Sequence, residues 1–442
     1  MWGEGRASPV AARTRQESGE TWIMASERVM CPGCRRAGWA LGVVLGGSWV
    51  LACAPGSSGS GGAVQRRDSS GVEIVESVRP AWEEGEGWAV GPQPLVRIGV
   101  VEGESAAQFT GVTGAVRLGD GTIVVADDGS QEVRFFAPDG AHLKTVGRRG
   151  GGPREFTGLA GLGKDAGDRV WAYDFSLRRI TWMDGEGEVT GLTSFGLEPA
   201  MLAPVGVLRD DTFLLKQLWG AEETSEASTT GLRRDPIAFV RFDLDGNLVD
   251  TLGLFPGREV YLTEEDGRGV MNTPPFARNT STTIRRGRVV VGPQSRFELL
   301  ELSPEGRLVR VVRLPWRENA VGAAELEAYI QGRLRMAPPE RHPEIRRSLE
   351  TMPIPETMPP YGAIQADDAG NLWVGAWAMY PETAAIWDVF DATGAWLGTV
   401  PVPSGFGPWD IGDDWILGVE QDELDVEYVV VYPLIKAGAA ST

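Results

Sequence analysis

The sequence predicts an all-β fold: a six-bladed β-propeller with a small helical insertion between two of its blades. Three observations point there: turn formers scattered along the whole chain, a repeat of about 47 residues, and hairpin turns at matching places in successive copies. The 442 residues include 59 Gly and 29 Pro, and so many turn formers between short apolar runs favour β structure over long helices. Hydrophobic residues make up 42% and charged residues 23%, which suffices for a sizeable core.

The clearest copy starts at Phe109 and the next at Phe156. In the first, the turn Gly119-Asp120-Gly121 leads into a β run at 122–127, a second run follows at 132–136, and Pro138-Asp139-Gly140 makes the next hairpin turn. The second copy answers with Ala166-Gly167-Asp168, runs at 169–174 and 179–183, and Asp184-Gly185. Later copies keep this order around Arg209-Asp210-Asp211, Asp245-Gly246, Ser303-Pro304-Glu305-Gly306, Asp367-Asp368-Ala369-Gly370, Thr393-Gly394 and Gly412-Asp413-Asp414. One such unit cannot bury both faces of its small sheet, so the copies must stack. Residues 94–99 precede the first full copy and are expected to pair with the last blade near 428–432, closing the ring and removing its open edge. Trp171, Trp373 and Trp415 take equivalent strand positions and read as packing between blades. The propeller is expected over 73–436, with a solvent loop at 221–230 and a tail at 437–442.

Residues 317–356 interrupt the repeat. Within 318–335, Leu326, Tyr329, Ile330 and Arg333 fall at helical spacing, and 340–350 reads as a second, shorter helix that ends before Met352-Pro353. Arg317, Arg333, Arg335, Arg341, Arg346 and Arg347 gather positive charge in a chain of net charge -19. Two readings stand. Arg333, Arg335, Arg346 and Arg347 are candidate contacts for an anionic group or a partner on a lid, or the insertion is a buttress whose arginines pair with the acidic ring.

Upstream, Arg35-Arg36 is followed by an apolar run to Leu51 and then by Val50-Leu51-Ala52-Cys53. This looks like a bacterial lipoprotein signal, whose cysteine receives diacylglycerol before cleavage. The apolar run of about 15 residues is short for a spanning helix, which needs roughly 20. The resemblance implies removal of residues 1–52, a lipid on Cys53 and, after it, a flexible tether over 53–72. Met24 and Met30 are alternative starts, and Cys31 and Cys34 lie in the removed segment, so their CPGC spacing is not a redox motif. The expected location is the cell envelope, outside the cytoplasm and anchored in the bilayer through Cys53. Ala54 after the cysteine resembles the outer-membrane sorting pattern, where the organism has such a membrane.

The run Gly150-Gly151-Gly152-Pro153-Arg154-Glu155-Phe156, followed by the β run at 170–174 and Arg178-Arg179-Ile180, resembles the NHL-type repeat and the six-bladed propellers common among exported bacterial lipoproteins. The first copy lacks the arginine at the corresponding place. The leading functional reading is a non-enzymatic propeller that binds a protein, peptide or glycan. The alternative is a cation-dependent hydrolase or lyase in the style of six-bladed lactonases, with Asp127, Asp128, Asp174 and Glu155 as candidate ligands at the channel mouth. For Asp127 and Asp174 the plainer role is to cap turns.

Composition narrows the field. A net charge of -19 disfavours nucleic acid as a partner. Two histidines, His142 and His342, cannot by themselves build a histidine-rich zinc or iron site, and neither a G-x-S-x-G elbow nor an H-E-x-x-H helix occurs. No cofactor is expected and no catalytic residue stands out. Calcium and magnesium, which take only oxygen ligands, are ions the composition accommodates, and calcium is the one the lactonase-like alternative would use.

Overall fold

The computed structural model describes residues 63–196, 201–218, 230–265, 268–315, 317, 319–377, 385–422 and 424–436. Cys53, Glu318, most of the expected loop at 221–230 and the tail at 437–442 lie outside the described residues. Ser58–Thr442 form one compact unit.

Six four-stranded antiparallel sheets succeed one another along the chain and form a six-bladed β-propeller. The first blade runs from its inner to its outer edge as Val112–Arg117, Ile123–Asp127, Glu132–Phe136 and His142–Val146. The second is Leu159–Lys164, Val170–Asp174, Arg179–Met183 and Val189–Ser194. Inner strands of the remaining blades are Leu202–Val207, Ser281–Arg285, Ile364–Ala366 and Phe406–Ile411. The last blade takes its outer strand from the other end of the chain, for Val96–Ile98 pairs with Glu427–Ile435 so that Val96, Arg97 and Ile98 face Val431, Val430 and Val429.

The alternation of side chains along a strand explains why such units need neighbours. In Ile123–Asp127 every residue is buried, Val124 and Ala126 against the second blade, Ile123 and Val125 against the sixth. Each of the six interfaces between adjacent blades holds its own apolar cluster. Trp171 meets Phe213 of the third blade edge-on at 5.1 Å, Trp373 joins the cluster shared with the sixth blade, and Trp415 joins the one shared with the first.

Part of the expected tether is folded. Val64–Ser69 and Val72–Ser77 form a hairpin around Ser70 and Gly71, whose φ values of 55° and 83° make the tight left-handed turn. Val72–Ser77 then runs parallel to Leu308–Arg313, the outer strand of the fourth blade. Arg67 pairs with Glu76, and Glu73 and Glu76 pair with Arg310 and Arg313. Residues 64–72 therefore belong to the fold; the polar run hid a strand whose partners are charged. Onward, Ala81 and Trp82 donate their N–H groups to Trp396 and Leu397 on the fifth blade's outer strand, and Ala89–Val90 pairs with the end of the sixth blade. The segment 64–98 is thus a strap over the outer edges of three blades.

The helical insertion consists of α1, Ala323–Arg335, and α2, His342–Thr351, between the fourth and fifth blades. Helix α1 begins later than expected because Glu325 accepts the N–H of Gly322 and caps the helix there. Tyr329, Ile330, Leu334 and Leu349 are buried with Phe276 in a separate cluster. A further small sheet, which the repeat did not announce, joins Gly231–Arg233, from a connection inside the third blade, to Val260–Glu265 and Arg268–Asn272, from the connection between the third and fourth blades. Among the described residues, no helix is long and apolar enough to cross a membrane.

Candidate ligand site in the central channel

The inner strands surround a cavity of about 730 Å³ that extends from their middle to the turns that follow the inner strands of the second to fifth blades. That size suits a small ligand rather than a folded partner. What lines the cavity follows from a shared irregularity. In four of the six inner strands the pairing skips one residue, so the ladder bulges. The skipped residues are Thr113, Ala160, Val205 and Trp409, and all four line the cavity. A bulge re-aims a side chain that regular pairing would place elsewhere. Two of the bulges follow a proline, Pro204-Val205 and Pro408-Trp409, and proline has no N–H to give the ladder.

The polar groups of the wall are unevenly satisfied. Lys164 donates to the carbonyl of Arg117 at 2.5 Å and lies 3.0 Å from Asp410, whose Oδ2 also accepts the Arg117 N–H at 2.9 Å. Gln365 donates its amide to the carbonyl of Pro408 at 2.5 Å. Its Oε1, the Oγ1 of Thr113 and the Nε1 of Trp171 are buried atoms that make no hydrogen bond, and their residues all line the cavity. The Trp409 residue is 39% exposed. At the rim, Arg117 stacks over Trp415 at 5.0 Å. Asp368 is exposed there; even so, loss of solvent to the surrounding walls, together with Asp410, Asp367 and Asp413, pushes its carboxyl above the usual range, against the pull of Lys164.

The residues singled out from the sequence lie elsewhere. Asp127 is fully buried, accepting the Thr110 N–H at 3.0 Å and the Ser130 hydroxyl at 2.8 Å, with Arg134 at 3.4 Å. Asp174 accepts the N–H groups of Thr157 and Leu177 at 2.7 and 2.8 Å. Both hold turns. Asp128 accepts from Gln131 at 2.6 Å. Glu155 sits in a separate cleft of about 590 Å³, where the Gly152 N–H and Arg148 hold its carboxyl below the usual range. None of the four lines the central cavity. Among the described residues, no group of three or more His, Cys, Asp or Glu is placed to hold a metal ion.

In the insertion, Arg346 binds both carboxylate oxygens of Glu327 at 2.8 and 2.9 Å and so joins α2 to α1, while Arg333, Arg335 and Arg347 are exposed. Arg317 pairs with Asp388 of the fifth blade at 3.0 Å. The insertion thus contains the internal pairing of a buttress together with outward-facing cations. His142 packs edge-on against Phe136 and contacts the Thr145 hydroxyl at 2.9 Å, and His342 contacts the Ala337 carbonyl.

No protein-family model matches the chain, and no curated protein matches it. Solved structures do. A member of the DUF4221 family from Bacteroides vulgatus is 10% identical, with 80% of this chain and 99% of that one covered and a TM-score of 0.48. A protein from Bacteroides fragilis described as exported is 11% identical, covering 82% and 99%, with a TM-score of 0.45. Catalytically inactive virginiamycin B lyase from Staphylococcus aureus is 11% identical, covering 76% and 97%, with a TM-score of 0.38.

Proposed function

We propose that this chain is an extracytoplasmic propeller, anchored in the cell envelope by a lipid on Cys53, that binds its partner without transforming it. The partner, a peptide, a glycan or a protein segment, enters the central channel from the face of the inner-strand turns. One observation carries the reading: Thr113 Oγ1, Trp171 Nε1 and Gln365 Oε1 are buried around one cavity and bond to nothing in the protein. Buried polar atoms left unpaired cost roughly 1–3 kcal/mol each, and a ligand that pairs with them recovers that cost. The location rests on the lipobox-like Val50-Leu51-Ala52-Cys53.

The test uses the soluble body from Ser58 onward, melted with and without small-molecule fractions of the cell envelope. Binding should raise its melting temperature, and Ala160→Trp, which fills the channel from an exposed bulge position, should remove that rise. A rise that survives the plug places the ligand elsewhere and defeats the proposal. In parallel, Cys53→Ser should move the full-length protein from the membrane pellet to the soluble fraction.

A further inference from the structure

We infer that the channel ligand is an uncharged saccharide that stacks on Trp409 and exchanges hydroxyl hydrogen bonds with Gln365 and Thr113. The inference rests on the channel being the ligand site and names what that site selects.

Trp409 is the first argument. It occupies the bulge position that Val205 occupies in the third blade, each following a proline and each two residues before the end of its inner strand. Since valine suffices there structurally, an indole is more than the bulge requires. It is also 39% exposed, whereas Trp171, Trp373 and Trp415 at the blade interfaces are 6%, 0% and 8% exposed. A broad apolar face held at a cavity wall by a bulged backbone is a platform for the flat C–H face of a sugar ring.

The polar groups give the second argument. Gln365 Oε1 needs a donor, Trp171 Nε1 needs an acceptor, and Thr113 Oγ1 serves as either. A ligand hydroxyl donates and accepts at once, so a polyol can answer all three types. Gln365 is placed beside the platform, since its amide is bonded to the carbonyl of Pro408, the residue before Trp409.

Charge supplies the third. The cavity wall carries Lys164, Arg209 and Arg286 against Asp165, Asp367, Asp368 and Asp410. Lys164 is already paired with Asp410, at side-chain exposures of 17% and 13%. A near-balanced wall whose lysine is internally neutralised holds no strong field for a charged ligand. The Lys164–Asp410 pair also presents a donor and an acceptor side by side, which suits vicinal hydroxyls. The same near-balance is why a peptide terminus or a phosphate is the weaker fit.

The experiment titrates the body from Ser58 onward by calorimetry and tryptophan emission. One panel holds neutral mono- and disaccharides, including glucose, galactose, mannose and N-acetylglucosamine; the other holds blocked di- and tripeptides. The expected result is binding of at least one saccharide, weakened about tenfold or more by Trp409→Ala and largely kept by Trp409→Phe. Thr113→Val should weaken it about fivefold, and a deoxy analogue lacking the bonded hydroxyl should bind wild type no better than the intact sugar binds Thr113→Val. Because the Trp409 indole is partly exposed, the Ala variant keeps its melting temperature, and a lost signal is not lost fold. Saccharide binding indifferent to Trp409→Ala overturns the inference. Peptide binding alone, abolished by Ala160→Trp, overturns the saccharide while leaving the channel as the binding site. Silence from both panels, in wild type and variants alike, overturns both.

Discussion

Asp174 shows what a single carboxylate does in this ring. Its oxygens take the N–H groups of Thr157, Leu177 and, at 3.4 Å, Gly158, tying the entry of the second blade to the turn between its middle strands. Asp174→Ala leaves buried donors unpaired and should cost about 2–3 kcal/mol in denaturant unfolding. Thr113→Val works in the opposite direction, because it replaces a hydroxyl that bonds to nothing with a methyl of the same shape. It should stabilise the free protein by up to about 1 kcal/mol while weakening the ligand, the exchange expected of a residue kept for binding. At this scale the sequence was a partial guide. An aspartate ending a strand before a turn was legible at Asp127 and Asp174, and so was its capping alternative. Trp409 and Thr113 were not, because a bulge is a property of pairing between strands, and only Pro204 and Pro408 marked two of the places where pairing slips; Gln365 sits in regular register on a short inner strand that carries no motif.

Among the elements, the helical insertion packs Tyr329, Ile330, Leu334 and Leu349 into one apolar cluster and adds the Arg346–Glu327 pair on its exposed side. Arg346 lowers the Glu327 carboxyl from its ordinary 4.5 to about 2. Because the pKa falls on folding, the pairing is fully present above the ordinary value and is lost as pH drops through about 2. An NMR titration of the Glu327 carboxyl should find that low midpoint, and Arg346→Ala should return it to the ordinary carboxylate range. The first helix was readable from the spacing of Leu326, Tyr329 and Ile330, since a helix declares its buried face within a few residues, although Arg333, counted on the same face, is exposed. The small sheet around Val260–Glu265 was not, for its three strands pair with one another and repeat nothing else in the chain. The hairpin Val64–Ser69 and Val72–Ser77 escaped for a different reason. Its outer strand is exposed along nearly its whole length, so it lacks the alternation that identifies a half-buried strand.

For the whole molecule the decisive contact joins Val96–Ile98 to Glu427–Ile435. That closure was foreseeable, since a repeat array with an unpaired first and last edge must hide it. Ile98 is 4% exposed in the cluster shared by the first and sixth blades. A charge placed there by Ile98→Asp should cost more than about 3 kcal/mol and split a single cooperative melt into steps, read by calorimetry. Ring closure between segments so far apart in sequence also makes folding slow relative to a helical protein of this size.

The strap has a further consequence for a body held by its N-terminal end. Pulled from its N-terminal side, as the proposed anchor at Cys53 would pull it, the hairpin takes the load at Val64, which lies opposite the buried Ser77 on the exposed outer strand. The outer strand can peel from that end while Val72–Ser77 stays on the fourth blade. Releasing residues 64–71 adds roughly 25 Å of leash. Under the proposed anchoring the hairpin would therefore be a reserve of slack, absorbing a pull from the membrane in reach before any load arrived at the blades or at the channel they enclose.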